Sequence, residues 1–327
     1  MKPLNQSLTT AVAAACVVLC AASAQAQDAA LKGKTVAFVP TSLGYDLTDG
    51  WYAMIRKQLE PLGVKVIVRD PNWSTDAGAQ AITSLISEKP DVLLVQNPDI
   101  QSYARLLKRA EDAGIRVVQV NMRSSANTSA FVGADWIGIG EAMANAVVKQ
   151  CTGPGKSGKI SIVQGVLTAA ASTYQMKGVQ NVLAKNTNIK VVSNQAADWD
   201  ATKARAVTDT TLKQNPDLCG IIGFWDGQDT GTAAAIREAK KQDQVFLVTN
   251  GGAASTGCTN VANGNFSAYM TYNVKQQSDE LVGVIKTLLS KPGKPATEMS
   301  KVTPVGVIDK ASLKPDSCWN LADYKTK

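Results

Sequence analysis

The tract Gln195-Ala-Ala-Asp-Trp-Asp200 sets an indole between two carboxylates, where the apolar run IKVV gives way to the polar helical pattern ATKARAVTDTTLK. Trp225-Asp226 repeats the pairing after the apolar run LCGIIGF. A flat aromatic ring beside hydrogen-bonding side chains suits a polyhydroxylated molecule. Each hydroxyl both donates and accepts, while the C–H face of a sugar ring is apolar and lies well against an indole. Similar chemistry closes other apolar runs: Thr41 through Asp46, Asn72-Trp73, Asn97-Pro98-Asp99, Asn121-Met122-Arg123, Gln164 through Thr168, Asn250-Gly251-Gly252 and Tyr272-Asn273. Asp200 alone fits a helix N-cap equally well. Trp51, Tyr52 and Trp136 open helical patterns and read as packing residues, whereas Tyr45, in a glycine-containing loop, points toward a cleft. Arg123 either meets a ligand hydroxyl or is solvated.

Other chemistries are removed by composition. The chain has no histidine, so histidine ligands, histidine bases and Ser-His-Asp or Cys-His constellations are absent. GIGEAM at 138–143 offers Gly-x-Gly, but its third glycine position is Met143 and it sits within a helical pattern, so it is not a dinucleotide turn. GPGKS resembles the end of a P-loop, yet it precedes a strand where a P-loop must follow one. A net charge of +7 is scattered along the chain without a basic patch, which argues against nucleic acid. No cofactor and no metal is expected.

The first residues, MKPLNQSLTTAVAAACVVLCAASAQAQ, have a single early lysine, a short apolar stretch and the small-x-small site Ala24-Gln25-Ala26. They read as a secretory signal over 1–26, cleaved after Ala26. Cleavage leaves Cys151, Cys219, Cys258 and Cys318. In an exported protein an even set reads as disulfides, here with three possible pairings.

The elements that must position these residues alternate. KTVAFVP, VKVIVRD, DVLLVQN and IRVVQVN are continuous apolar runs separated by amphipathic segments, as in a parallel sheet covered on both faces. Ser74-Thr75-Asp76 and Asn97-Pro98-Asp99 supply helix starts, and Gly63 and Gly114 supply stops. The rhythm resumes after FVGADW, so two doubly wound α/β units lie in series. No Pro/Ser/Gly-rich linker separates them, which implies joining by ordinary strands. In such sheets ligands bind outside the carboxyl ends of the strands, where the residues above fall.

In order and spacing, KTVAFVPTS, EPLGVKVIV, KPDVLLVQNPD, AGIRVVQVN, FVGADW, KISIVQG, QAADWDATKA, NPDLCGIIGFWDG and VFLVTNGG together resemble the type I periplasmic sugar-binding proteins of ABC importers, the ribose-binding-protein-like group. The resemblance implies two doubly wound parallel-sheet lobes joined by three crossover strands, near Ala134-Asp135, Tyr272-Asn273 and Thr303-Pro304. The N-terminal lobe is then 27–134 plus 273–304, and the C-terminal lobe 135–272 plus 305–327. The family's binding loops fall on Thr41, Tyr45, Thr48, Asn121, Met122, Gln175, Trp199, Trp225, Asp226, Asn250 and Tyr272. Ribose binders carry Asp-Arg at Asn121-Met122, arginine at Gln175, Asn-Asp at Trp225-Asp226 and aspartate at Asn250. These departures imply a less polar or deoxy sugar, a smaller polyol, or a sugar held chiefly by stacking.

Pairing Cys151 with Cys219 and Cys258 with Cys318 keeps both bonds in one lobe and leaves the lobes free to move. The implied function is capture, without chemistry, of a small neutral sugar or polyol by a periplasmic monomer that delivers it to an inner-membrane permease. The alternatives are an exported carbohydrate-acting enzyme using Asp198 and Asp226 as its carboxylate pair, or a partner that presents a ligand to a chemoreceptor or sensor kinase.

Overall fold

The computed structural model describes residues 30–291 and 293–324. The expected signal and its cleavage after Ala26 lie outside the described residues. The first series is β1 (Thr35–Val39), α1 (Asp46–Leu59), β2 (Lys65–Val68), α2 (Thr75–Glu88), β3 (Val92–Val95), α3 (Ala104–Asp112), β4 (Arg116–Asn121) and β5 (Ala130–Ala134). The second runs α4 (Trp136–Cys151), β6 (Lys159–Gln164), α5 (Ala170–Leu183), β7 (Lys190–Ala196), α6 (Ala201–Gln214), β8 (Gly220–Gly223), α7 (Asp226–Glu238), β9 (Phe246–Gly251), α8 (Ser255–Ala262) and β10 (Ala268–Thr271). The chain closes with α9 (Val274–Ser290), β11 (Met299–Thr303) and β12 (Gly306–Asp309).

The strands form two sheets, ordered β11-β5-β4-β3-β1-β2 and β12-β10-β9-β8-β6-β7. This is the two-lobed α/β architecture, with helices covering the central strands. All of Val92–Val95 is buried, which is why that run carries no polar alternation. The edge strand β7 is instead largely exposed, and its sequence turns polar at Ser193-Asn194-Gln195. Every pairing is parallel except β10 with β12. The reason is the short Pro304-Val305 connection: β11 ends at the carboxyl edge of the first sheet, so β12 enters the second sheet from its carboxyl edge and must run against β10.

Four helix starts carry side-chain caps at loops that face between the sheets or cross between them, one of them Asn273, which accepts the Gln276 N–H at 3.1 Å at the start of α9. Ser74, Asp135 and Asp200 accept the amide N–H of Ala77, Gly138 and Lys203 at 3.2, 2.9 and 2.8 Å. One expected cap differs. Asp99 accepts the N–H groups of Gln101 and Ser102 and closes a turn, so α3 starts only at Ala104. Gly63 and Gly114 take φ values of +78° and +84°, the left-handed conformation that ends the preceding turns.

Cys151, at the end of α4, is bonded to Cys219 before β8, and Cys258 of α8 to Cys318 in the terminal segment. The second bond fixes Trp319, whose indole N–H donates to the Gly252 carbonyl at 2.7 Å. The Trp319 ring lies so near Gly50 of α1 that a Cβ there would meet it at 2.5 Å. The terminal segment thus rests on both halves of the molecule.

Candidate functional site

The carboxyl ends of strands from both sheets converge on a cavity of about 580 Å³. Tyr45, Asn121, Met122, Trp199, Trp225, Asn250 and Tyr272 line it, together with Thr41. Three residues expected there do not. Thr48 is fully buried on the inner face of α1, Gln175 is fully buried within α5, and Asp226 lies beneath the wall against Tyr269. Helical periodicity decides this: each of the three belongs to a helix whose side chains at that position turn into the protein.

The wall also contains Gln96, Trp136 and Phe224, which the sequence did not mark for binding, and Trp73, which it placed at a strand end but outside the family's binding loops. Trp136, expected to be structural, does both jobs. Its indole N–H donates to the Asn121 carbonyl at 2.8 Å, and its ring meets Tyr272 edge-on at 5.1 Å. A signal for Trp73 existed, since Asn72-Trp73-Ser74 has the same polar-Trp-cap order as Asp198-Trp199-Asp200.

Trp199 and Trp225 are each seated on a glycine. A Cβ at Gly165 would lie 2.0 Å from the Trp199 ring, and one at Gly227 would lie 2.5 Å from the Trp225 ring. Backbone anchors complete the seats: Trp199 N–H donates to Gln228 Oε1 at 2.9 Å, and Trp225 N–H to Asp229 Oδ2 at 3.3 Å. Trp199 and Trp225 meet edge-to-face at 6.4 Å. From the first lobe, Tyr45 reaches across to Trp225 at 5.5 Å. The lobes also touch through Ile100 N–H to the Thr168 carbonyl at 3.1 Å and Thr256 Oγ1 to Asp46 Oδ2 at 2.7 Å. This is a closed cleft.

The amides of the wall have their polarity set from behind. Gln175 Nε2 donates to the Ala171 carbonyl at 3.1 Å, which turns its Oε1 toward Asn250 Nδ2 at 2.7 Å. Asn250 Oδ1 is left buried without a partner, an acceptor at the cavity wall. On the other side the Trp51 indole donates to Gln277 Oε1 at 3.1 Å, so Gln277 Nε2 donates to Asn121 Oδ1 at 3.3 Å. Asn121 therefore presents its Nδ2 as a donor. A ligand hydroxyl, donor and acceptor at once, answers both.

The carboxylates of the wall are already engaged. Asp198 pairs with Lys203 at 2.9 Å, Asp200 caps α6, and Asp99 holds its turn. No Lys or Arg lines the cavity among the described residues. Arg123 turns away, donating to Glu298 at 2.7 Å and Ser300 at 3.0 Å while stacked 4.0 Å over Phe131. Burial raises the Tyr45 phenol to about 12, so it stays protonated, and its oxygen is 3.0 Å from Thr41 Oγ1.

Behind Trp225 lie two carboxyls on the first turn of α7, Asp226 partly buried and Asp229 fully buried. Burial pushes Asp226 up to about 6, against the hydrogen bonds it accepts from Tyr269 at 2.6 Å and Gly227 at 2.8 Å. Asp229, fully buried, is pushed by burial to about 7 despite hydrogen bonds from Thr249 and Thr232. Between the unfolded value near 3.8 and about 7 the folded state holds the extra proton, so this contribution to stability is complete below pH 4 and is lost as pH rises through 7. Asp229→Asn is expected to be more stable than the parent at pH 8 by roughly 2–4 kcal/mol, a difference that shrinks toward pH 4. Urea titrations across that range check it; a pH-independent difference would contradict the assignment.

The family model for the periplasmic binding protein domain matches residues 36–295. The chain belongs to the periplasmic binding protein family. It is 26% identical over 188 residues to the ribose import binding protein of Bacillus subtilis, an alignment covering 57% of this chain and 60% of that protein. It is 29% identical over 130 residues to the D-allose-binding periplasmic protein of Escherichia coli, covering 40% and 41% of the two chains. The chain thus spans about half the length of these curated relatives. A solute-binding protein from Burkholderia graminis, solved with D-arabinose, shares the fold with a TM-score of 0.77 at 24% identity, over 86% of this chain and 96% of that one.

Proposed function

We propose that the protein is a solute-binding component of an ABC importer that encloses a small neutral sugar or polyol between its lobes and releases it, unaltered, to an inner-membrane permease. The observation that carries this reading is the pairing of two oriented amides, Asn121 as donor and Asn250 as acceptor, with indole faces in a cavity that no cationic side chain among the described residues lines. Neutral hydroxyls satisfy such a wall, whereas a carboxylate or phosphate finds no countercharge. The relatives named for ribose and allose, and the arabinose-bound structure, support the same class. The lobes are 27–134 with 273–304 and 135–272 with 305–327, hinged at the three connections; the mature protein works as a periplasmic monomer.

The glycosidase alternative loses its support. Asp226 is bonded to Tyr269 beneath the wall, and Asp198 is half-exposed and paired with Lys203, so the two do not flank a common bond in the cavity.

A thermal-shift screen of pentoses, hexoses, deoxy sugars and polyols beside sugar acids tests the proposal. A ligand at 100 times its Kd stabilises the native state by about 2.7 kcal/mol, so neutral ligands are expected to raise Tm by about 5 °C or more. Stabilisation by sugar acids alone would overturn it.

A further inference from the structure

The tryptophan of each lobe sits on the same backbone device. Asn72-Trp73, between β2 and α2, and Asp198-Trp199, between β7 and α6, are consecutive residues with positive φ: 48° and 66° in the first lobe, 53° and 64° in the second. For a side chain as large as tryptophan this conformation is an outlier, tolerated where the surroundings over-determine it. Both elbows are held through the indole residue's own N–H, Trp73 to the Thr41 carbonyl at 2.9 Å and Trp199 to Gln228. Both are followed by the helix N-cap.

The two elbows end a continuous row of rings. Trp73 stacks on Tyr45 at 5.3 Å with the planes 18° apart, Tyr45 meets Trp225 at 5.5 Å, and Trp225 meets Trp199 at 6.4 Å. Two rings come from each lobe, and all four line the cavity. Trp73 is nonetheless 51% exposed, although a large ring stacked in this row gains from being covered. The cavity of about 580 Å³ is of the size that takes small organic ligands.

Different polar groups line the two ends of this space. The oriented amides Asn121 and Asn250 lie beside the connections between lobes, whereas near the elbows Asp198 and Asp200 already have Lys203 as partner. We infer that the row of rings is a subsite for a planar apolar substituent, so that the ligand is a sugar carrying an aryl group, its hydroxyls on the amides and its aromatic ring against the row at Trp73. This inference rests on the carbohydrate reading above and extends it.

Calorimetry on the full mature chain tests it, with phenyl glycosides of ribose, arabinose, allose, galactose and glucose, each against its methyl glycoside. The best phenyl glycoside is expected to bind at least about ten-fold tighter than its methyl counterpart. Trp73→Ala is expected to cut that advantage below about three-fold, weakening the phenyl glycoside at least about three-fold more than the methyl glycoside, and Trp73→Phe to restore most of it. Because Trp73 is half-exposed, its removal leaves the core intact. Equal affinity for phenyl and methyl glycosides, or equal loss of both in Trp73→Ala, overturns the aryl subsite alone. Failure of every glycoside and free sugar to bind overturns the carbohydrate reading and this inference together.

Discussion

Replacing Trp225 by alanine is expected to weaken ligand binding by at least about 30-fold, roughly 2 kcal/mol, as for truncation of a buried aromatic anchor. Trp225 is the ring that touches both lobes: Tyr45 reaches it from the first at 5.5 Å and Trp199 lies beside it in the second at 6.4 Å. Its loss removes a plate from the cavity wall and a contact that the closed cleft makes with itself. A ligand favours closure only through what it gains from the closed form, so both losses act in the same direction. The fold is expected to survive, because Trp225 is the N-cap residue of α7 and its anchor is a backbone N–H that alanine keeps. Trp225→Phe should fall between the two. Calorimetric Kd values for the three proteins decide the matter, and an unchanged affinity in Trp225→Ala would remove this residue from the site.

Loss of the Cys151–Cys219 bond is the largest stability effect expected. The bond closes a loop of 68 residues, for which chain entropy alone gives about 4 kcal/mol. The Cys151→Ala/Cys219→Ala variant should melt about 10 °C lower at neutral pH. Both residues are buried, so alanine also leaves some space behind. Ligand affinity at a temperature where the variant is folded should change little, because both cysteines lie away from the cavity wall. A melting point within a degree or two of the parent would mean that the bond constrains the unfolded chain far less than its loop length implies.

Much of the architecture could be read from the chain because its cause is local. Continuous apolar runs such as VLLV declare strands buried on both faces, and their carboxyl ends then locate the ligand cleft without any knowledge of the fold's details. Strand direction is not written in such runs, and the antiparallel β12 followed only from where β11 ends. The site was less readable than the fold. Which residues stand at the wall and which stand behind it depends on how far each helix is rotated, so Gln175 and Thr48 were placed one layer too far forward. Gln175 keeps a part in the site all the same, since it orients Asn250. Trp73, named with Asn72 at a strand end, was not assigned to the binding set for the opposite reason: a tryptophan in a polar turn carries no mark of whether its ring faces solvent or a cleft.

Oriented amides and indole faces are expected to enclose an uncharged ligand between the lobes, and a crystal structure of the protein grown with its best ligand from the thermal-shift screen is the decisive check. The account predicts an intact molecule between the two sheets, one hydroxyl on Asn250 Oδ1, another on Asn121 Nδ2, and a ring face on Trp199 or Trp225. A ligand bound outside the interlobe cavity, held by a charged group, or found cleaved would contradict it.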